Sequence, residues 1–237
     1  MTSFIVPAHD EEAWIGRCVS AIQGALESLD EPHEIIVVDD GSSDATASIA
    51  RQHGAQVIRV EHRQIAATRN AGARQARGDI LFFIDADTLV NAPAIKSALH
   101  RVRAGAVGGG CVPRFEGWLP WWFRLVEPLF KPAIRLARFS PSGACLFCTR
   151  RAFDTAGGFD ENYYAAEDAL FAAALKRQGR FVIPVETVIT SGRKVRAHSF
   201  WSLVRQFTRV ILRGPRGLRS RRGLDYWYKA EREKPPP

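Results

Sequence analysis

The sequence predicts an α/β protein, built on a doubly wound, mostly parallel central sheet flanked by helices and ending in a basic helical tail. Three observations predict it. Short β-branched runs alternate with helical patterns through the first half of the chain, as βα units do. The runs Ile35-Ile36-Val37-Val38 and Leu81-Phe82-Phe83 are apolar without alternation, as strands covered on both faces are. The 237 residues, 46% hydrophobic and 24% charged, suffice for one large domain with a sizeable core.

The elements follow in order. Phe4-Ile5-Val6 is expected as the first strand, with a helix over 11–29 behind it. Residues 34–38 read as a central second strand, 44–53 as a helix, 56–60 as a strand, and 66–77 as a helix ended by Gly78. Residues 80–84 form another buried strand, closed by Asp85-Ala86-Asp87. The second half is less regular. Segment 118–139 places Trp122, Leu125, Val126, Leu129 and Phe130 on one helical stripe, with kinks expected at Pro128 and Pro132. Cys145-Leu146-Phe147-Cys148 reads as a core strand rather than a redox or zinc motif, because no second pair accompanies it. Residues 200–213 set Arg205, Arg209 and Arg213 opposite Leu203, Val204, Phe207 and Ile211.

Charge is unevenly placed. Of 33 Lys and Arg and 25 Asp and Glu, 13 and 3 lie in 193–237, so the body over 1–192 is about neutral and the tail carries the excess. Such a tail suggests an anionic partner or a solvated helix face. No nucleic-acid module is recognised, so an anionic membrane surface is the preferred partner. The three tryptophans at 118, 121 and 122 beside cations fit an interfacial binder as well as a core. Four cysteines in a chain of this length read as reduced thiols. With no leader-like start and no apolar run of membrane-spanning length, a cytoplasmic protein, peripheral on the inner face of a membrane, is expected.

In a parallel sheet, ligands bind beyond the carboxyl ends of the strands. Three strands here end in polar or acidic residues: Pro7-Ala8-His9-Asp10-Glu11-Glu12, Asp39-Asp40-Gly41-Ser42-Ser43-Asp44 and Asp85-Ala86-Asp87-Thr88. Any one could be turn and cap chemistry. Three together crowd like charges that a shared cation would relieve. Asp85 and Asp87, two residues apart at a strand end, can hold Mg²⁺ or Mn²⁺ with waters and phosphates completing the shell.

These segments, with Ala67-Thr68-Arg69-Asn70-Ala71-Gly72, Gly157-Gly158-Phe159-Asp160-Glu161 and Glu167-Asp168, resemble family 2 glycosyltransferases of the GT-A fold over roughly residues 3–190. Ala-His-Asp-Glu stands where that family commonly has Thr-Tyr-Asn-Glu, and the Gln-x-x-Arg-Trp motif of its processive synthases is absent. The resemblance implies a domain over 1–192, with 1–90 binding a UDP- or GDP-linked sugar and 91–192 the acceptor, which could be lipid-linked. It implies that Pro7, His9 and Glu11 line the nucleotide pocket, that Asp40 bonds the base with Asp39 in support, and that Arg69 approaches the diphosphate. Asp85 would meet ribose or metal, Asp87 would be the principal metal ligand, and Asp168, beside Glu167, the general base of an inverting transfer.

Each reading has a rival. Glu167 and Asp168 could be first-turn helix charges. His198 could complete the metal shell or be structural, and Arg193 and Arg196 could meet phosphate or solvent. A sugar-phosphate nucleotidyltransferase would need a Gly-rich basic loop after the first strand, which His9-Asp10-Glu11-Glu12 is not. A glycosidase would lack the nucleotide motifs, and an inactive scaffold need not keep Asp87 and Asp168.

Overall fold

A computed structural model describes residues 1–29, 31–125, 127–128, 143–197, 201, 205, 208 and 218–220. The first half runs β1 (Thr2–Ala8), α1 (Ile15–Glu27), β2 (His33–Asp40), α2 (Thr46–Gln52), β3 (Gln56–Val60), α3 (Ile65–Gln75) and β4 (Ile80–Ile84). Every expected element of this half is present. β2 runs two residues further than expected, because Asp39 and Asp40 still pair with Arg59 and Val60 of β3. The second half comprises β5 (Thr88–Leu89), α4 (Ala92–Arg103), β6 (Gly108–Gly110), β7 (Val112–Glu116), β8 (Cys145–Thr149), α5 (Arg150–Ala156), α6 (Glu167–Gln178), β9 (Phe181–Val182), β10 (Thr187–Ser191) and α7 (Arg193–Ala197).

The central sheet has the order β3-β2-β1-β4-β8-β6-β9. Strands β1 to β4 pair in parallel, and β8 alone runs against its neighbours β4 and β6. Phe4, Val6, Ile35, Val37, Phe82 and Ile84 face α1, α2 and α4. Ile5, Ile36, Val38, Leu81 and Phe83 face α3, α5 and α6, where Phe83 meets Phe153, Phe159 and Phe171. Both faces are therefore covered, which is why these strands do not alternate. The chain order reverses beside β1, between β2 and β4. That switch point opens a crevice at the carboxyl edge.

Two glycine-dependent contacts hold the layers at this spacing. A Cβ on Gly72 of α3 would stand 2.4 Å from Ile5 Cγ2 and 2.8 Å from Val38 Cγ2, so only glycine lets the helix lie this close to β1 and β2. A Cβ on Gly109 would meet the Val182 carbonyl at 2.1 Å, which makes the unpromising run Gly108-Gly109-Gly110 a strand by close approach.

A second sheet, β5-β10-β7, was not foreseen. It follows from residues 88–89 and 187–191 being too short or too weakly patterned to read alone. All four cysteines are free and buried, Cys145 and Cys148 in the expected core strand. In segment 118–139 the packing departs from the expected stripe. Trp122 of the stripe does pack against the cluster that Leu119, Phe123 and Val195 form, whereas Leu125 is 68% exposed. Leu125 lies about 200° round a helix from Phe123, so seating one turns the other outward. Val126 and the rest of the stripe, His198, and most of the basic segment 200–213 lie outside the described residues. Among the described residues, no helix is long and apolar enough to cross a membrane.

Candidate active site

The site lies where β1, β2 and β4 end. The loops after β1 and β2 brace each other. The Asp10 and Glu11 amides donate to Ser42 Oγ and Thr46 Oγ1 at 2.9 and 2.7 Å, the Ser43 amide to Asp10 Oδ1 at 2.8 Å, and the Ala45 amide to Glu12 Oε2 at 3.1 Å. Ser42, Ser43 and Asp44 thus serve turn and cap geometry, the plainer of their two readings. Pro7 lies in the buried β1 opposite Val38. His9 is held against the Arg63 guanidinium, which also donates to the Gly41 carbonyl at 2.9 Å.

The two aspartates closing β2 play different parts. Asp40 accepts from the Arg63 amide at 2.8 Å, the Gln64 amide at 3.1 Å and Thr68 Oγ1 at 2.8 Å. Its carboxylate is committed to the N-terminus of α3, where backbone donors and the helix dipole favour an anion. Asp39 accepts from the Ser42 amide at 3.0 Å through Oδ1, and its Oδ2 lies 4.0 Å from Arg59 Nε.

Beyond β4, five carboxylates gather around two buried guanidiniums. Arg69, expected to approach the diphosphate, is 1% exposed and bridges Asp85 Oδ1 at 2.8 Å and Glu167 Oε1 at 2.9 Å. It also donates to the Gly143 carbonyl at 3.3 Å. A guanidinium enclosed in this way orients carboxylates; it is not presented to an incoming phosphate. Burial alone would lower its pKa, but the charges of Asp85, Glu167 and Asp168 outweigh that and raise it. Burial pushes the Glu167 carboxyl above the usual carboxylate range; Arg69 pulls it back, and neighbouring Asp168 adds to the rise. Asp168 begins α6 beside it and accepts from the Ala169 amide at 2.7 Å.

The second guanidinium is Arg193, which pairs with Glu11 and lies 3.0 Å from Asp87 Oδ2. The small sheet puts it there. Thr190 of β10 pairs with Thr88, and the Ser191 amide donates to the Asp87 carbonyl at 3.1 Å, so the next turn of chain arrives over Asp87. Arg196, one turn on, donates to the carbonyls of Glu116 and Trp118, both at 3.1 Å, and ties α7 to the end of β7. The buried Cys18 thiol, 3.7 Å from the Asp85 carbonyl, is pushed up by burial and then by Asp87, Asp85 and Glu11. These three acids therefore surround one region.

Among the described residues, no group of three or more His, Cys, Asp or Glu is arranged to hold a metal by itself. The donor set nevertheless fits a hard divalent cation. It offers carboxylate oxygens in excess of their cationic partners, and Mg²⁺ and Mn²⁺ take remaining ligands from water and phosphate.

Two residues were missed by sequence reasoning. Asn70 donates to the Phe159 carbonyl and Glu161 Oε1, both at 2.9 Å, and accepts from the Phe159 amide at 2.9 Å, so it locks the Gly157–Glu161 turn onto α3. Its place next to Arg69 was the available signal. A Cβ on Gly143 would stand 2.7 Å from Arg69 Nη2 and 3.3 Å from Asp168 Oδ2. Nothing in the sequence marks that approach.

Comparison with known proteins agrees with this architecture. The mannosyltransferase of Pyrobaculum calidifontis, solved with GDP-Man and Mn²⁺, superposes with a TM-score of 0.67 at 23% identity, covering 90% of this chain and 64% of that one. Glucosyl-3-phosphoglycerate synthase of Mycobacterium tuberculosis, solved with Mn²⁺, UDP and phosphoglyceric acid, gives 0.60 at 19%, covering 90% and 76%. The expected GT-A fold is borne out. In sequence, an undecaprenyl-phosphate 4-deoxy-4-formamido-L-arabinose transferase of Pseudomonas paraeruginosa is 33% identical over 139 residues, 54% of this chain and 40% of that protein. A dolichyl-phosphate beta-glucosyltransferase of Drosophila melanogaster is 36% identical over 104 residues, 38% and 32%. The chain thus spans less than half the length of either relative. The profile described as Glycosyl transferase family 2 matches residues 3–155, well over half of the chain: the chain belongs to glycosyl transferase family 2.

Proposed function

We propose that this chain transfers a sugar from a UDP- or GDP-linked donor to an acceptor hydroxyl, with inversion and with Mg²⁺ or Mn²⁺. The observation that carries the reading is the gathering of Glu11, Asp85, Asp87, Glu167 and Asp168 around Arg69 and Arg193 at the switch point of the sheet. A bound divalent cation supplies positive charge against the leaving diphosphate. Asp87 and Asp85 would hold it. Pro7 and His9 line the nucleotide pocket. Asp39 accepts from the base in place of Asp40, expected there, because the Asp40 carboxylate already takes three donors at the start of α3. Asp168 takes the acceptor proton as the oxygen attacks the anomeric carbon opposite the diphosphate. That single displacement inverts the centre. Arg69 keeps Asp85 and Glu167 in place and does not itself touch the donor.

Thermal melting with UDP, GDP, CDP or dTDP, each with Mn²⁺, Mg²⁺ or chelator, tests the donor site. At a hundredfold excess over Kd, ligand is worth about 2.7 kcal/mol, or roughly 5–10 °C for a chain of this size. One nucleotide should give such a rise only with metal, and Asp87→Ala should lose it. No rise with any of the four would count against the donor assignment.

The acceptor proposed is lipid-linked, reached from the inner face of an anionic membrane. Trp118, Trp121, Leu125 and Trp201 are exposed large apolar side chains, and Arg124 and Arg205 beside them in the chain are exposed cations. Such a mixture suits a lipid interface. The two relatives named for undecaprenyl phosphate and dolichyl phosphate support a lipid acceptor; that a hydroxyl of it is the accepting group rests on the placing of Asp168 alone. The protein should float with phosphatidylglycerol vesicles at low salt and much less after Trp118→Ser and Trp121→Ser together. Failure of the unaltered protein to float would remove the membrane from the proposal.

A further inference from the structure

Arg193 is buried, and it joins two carboxylates from distant parts of the chain, Glu11 after β1 and Asp87 after β4. Asp87 is also the residue proposed to hold the cation. We propose that Arg193 is an internal counter-cation that competes with the divalent ion for Asp87, so that ion and nucleoside diphosphate bind as a pair rather than separately. This rests on the metal-assisted reading given above.

The physical case is one of charge and space. A divalent ion bonded to an Asp87 oxygen at about 2.1 Å would stand within a few ångströms of a guanidinium that is 3.0 Å from Asp87 Oδ2. Little solvent screens the two cations there, since both Asp87 and Arg193 are buried. The ion alone must therefore displace Arg193 or bear its repulsion. A guanidinium displaced from Asp87 keeps Glu11 but loses one of its two carboxylates, and a buried cation gains from a second anion in its place. The diphosphate provides one. Its oxygens suit the planar fork of arginine, which bonds phosphate bidentately. The nucleotide thus receives the group that the ion expels, and each favours the other. Arg193 keeps its connection to Glu11 at the mouth of the β1 loop, so the exchange needs a swing of the side chain and no movement of the sheet.

The test is calorimetric titration of Mn²⁺ into the protein and into its Arg193→Gln and Arg193→Lys variants, each with and without the nucleoside diphosphate that raises the melting temperature. Arg193→Gln should bind Mn²⁺ alone at least tenfold more tightly than the unaltered protein. It should also lose at least tenfold of the tightening that the nucleotide brings. Its melting temperature should be lower in chelator and rise more on adding Mn²⁺ than that of the unaltered protein. Arg193→Lys keeps the charge beside Asp87 but not the fork. It should leave affinity for Mn²⁺ alone near the unaltered value and reduce the nucleotide-dependent gain at least threefold. A folded Arg193→Gln that binds Mn²⁺ alone no more tightly than the unaltered protein overturns the proposal. Should Arg193→Gln fail to fold, an Arg193→Lys variant matching the unaltered protein in both titrations overturns it equally. If the unaltered protein takes up no Mn²⁺ with any nucleotide, the metal-assisted reading falls and this inference with it. Uptake of Mn²⁺ that ignores the nucleotide defeats the inference alone.

Discussion

Asp168→Asn is expected to lower kcat by roughly 10²–10⁴-fold, the usual worth of a positioned base, with donor binding unchanged. Asparagine fills the same space and still accepts from the Ala169 amide, which Asp168 holds at 2.7 Å. It cannot take a proton from an attacking hydroxyl. Asp168 sits in the first turn of α6 next to Glu167, whose carboxyl burial raises. Two adjacent carboxyls therefore stand in unlike environments, and the partly exposed one is the better placed to meet an acceptor. Initial rates and nucleotide melting shifts on the same preparation separate loss of chemistry from loss of binding. A variant that keeps more than a third of the rate toward a hydroxyl acceptor would overturn the base assignment. Full activity toward a lipid phosphate would have a different meaning. A phosphate oxygen is already ionised near neutral pH and needs no base, so the acceptor would be reassigned with the donor site intact.

Arg69→Met should be the most destabilising change to a single side chain at the site. It removes the guanidinium while keeping most of the volume, and leaves Asp85 and Glu167 without the cation that lies 2.8 and 2.9 Å from them. Breaking one partner out of a buried ion pair costs about 3–5 kcal/mol, which for a chain of this length corresponds to a melting temperature lower by roughly 10 °C. Adding Glu167→Gln should recover part of the loss, because the buried uncompensated charge goes with it. A single variant melting within 2 °C of the unaltered protein would show that Arg69 is not the bridge described. Non-additivity of the pair, read from denaturation midpoints, isolates the coupling between the two residues.

Much of the site could be read from the chain because its parts are local. The acids at 39–40, 85–87 and 167–168 each sit within a few residues of a strand end or helix start, and apolar runs announce those ends. Asp85 and Asp87 fall at the carboxyl edge by their place in the chain, since a buried strand ending at Ile84 leaves them nowhere else. What a local pattern does not contain is which other segment arrives opposite. Arg69 looked like a phosphate ligand because it is a cation in a recognised motif, and only its distance to Glu167, 98 residues away, shows it to be a bridge. Asp39 and Asp40 are adjacent and chemically identical. The register of β2 and the start of α3 give them different partners.

The sequence by itself determined the α/β class, the strands β1 to β4 with their covered faces, the acidic carboxyl edge and the resemblance to its family. Each of these follows from hydrophobic periodicity and from residue types at fixed short spacing. Tertiary structure alone decided that Gly108-Gly109-Gly110 is a strand, that β10 pairs with β5, and that Arg193 comes to rest between Glu11 and Asp87. The physical reason is the same in all three. Sheet pairing and ion pairing between distant segments depend on how closely two backbones approach, and that distance is set by every layer packed between them.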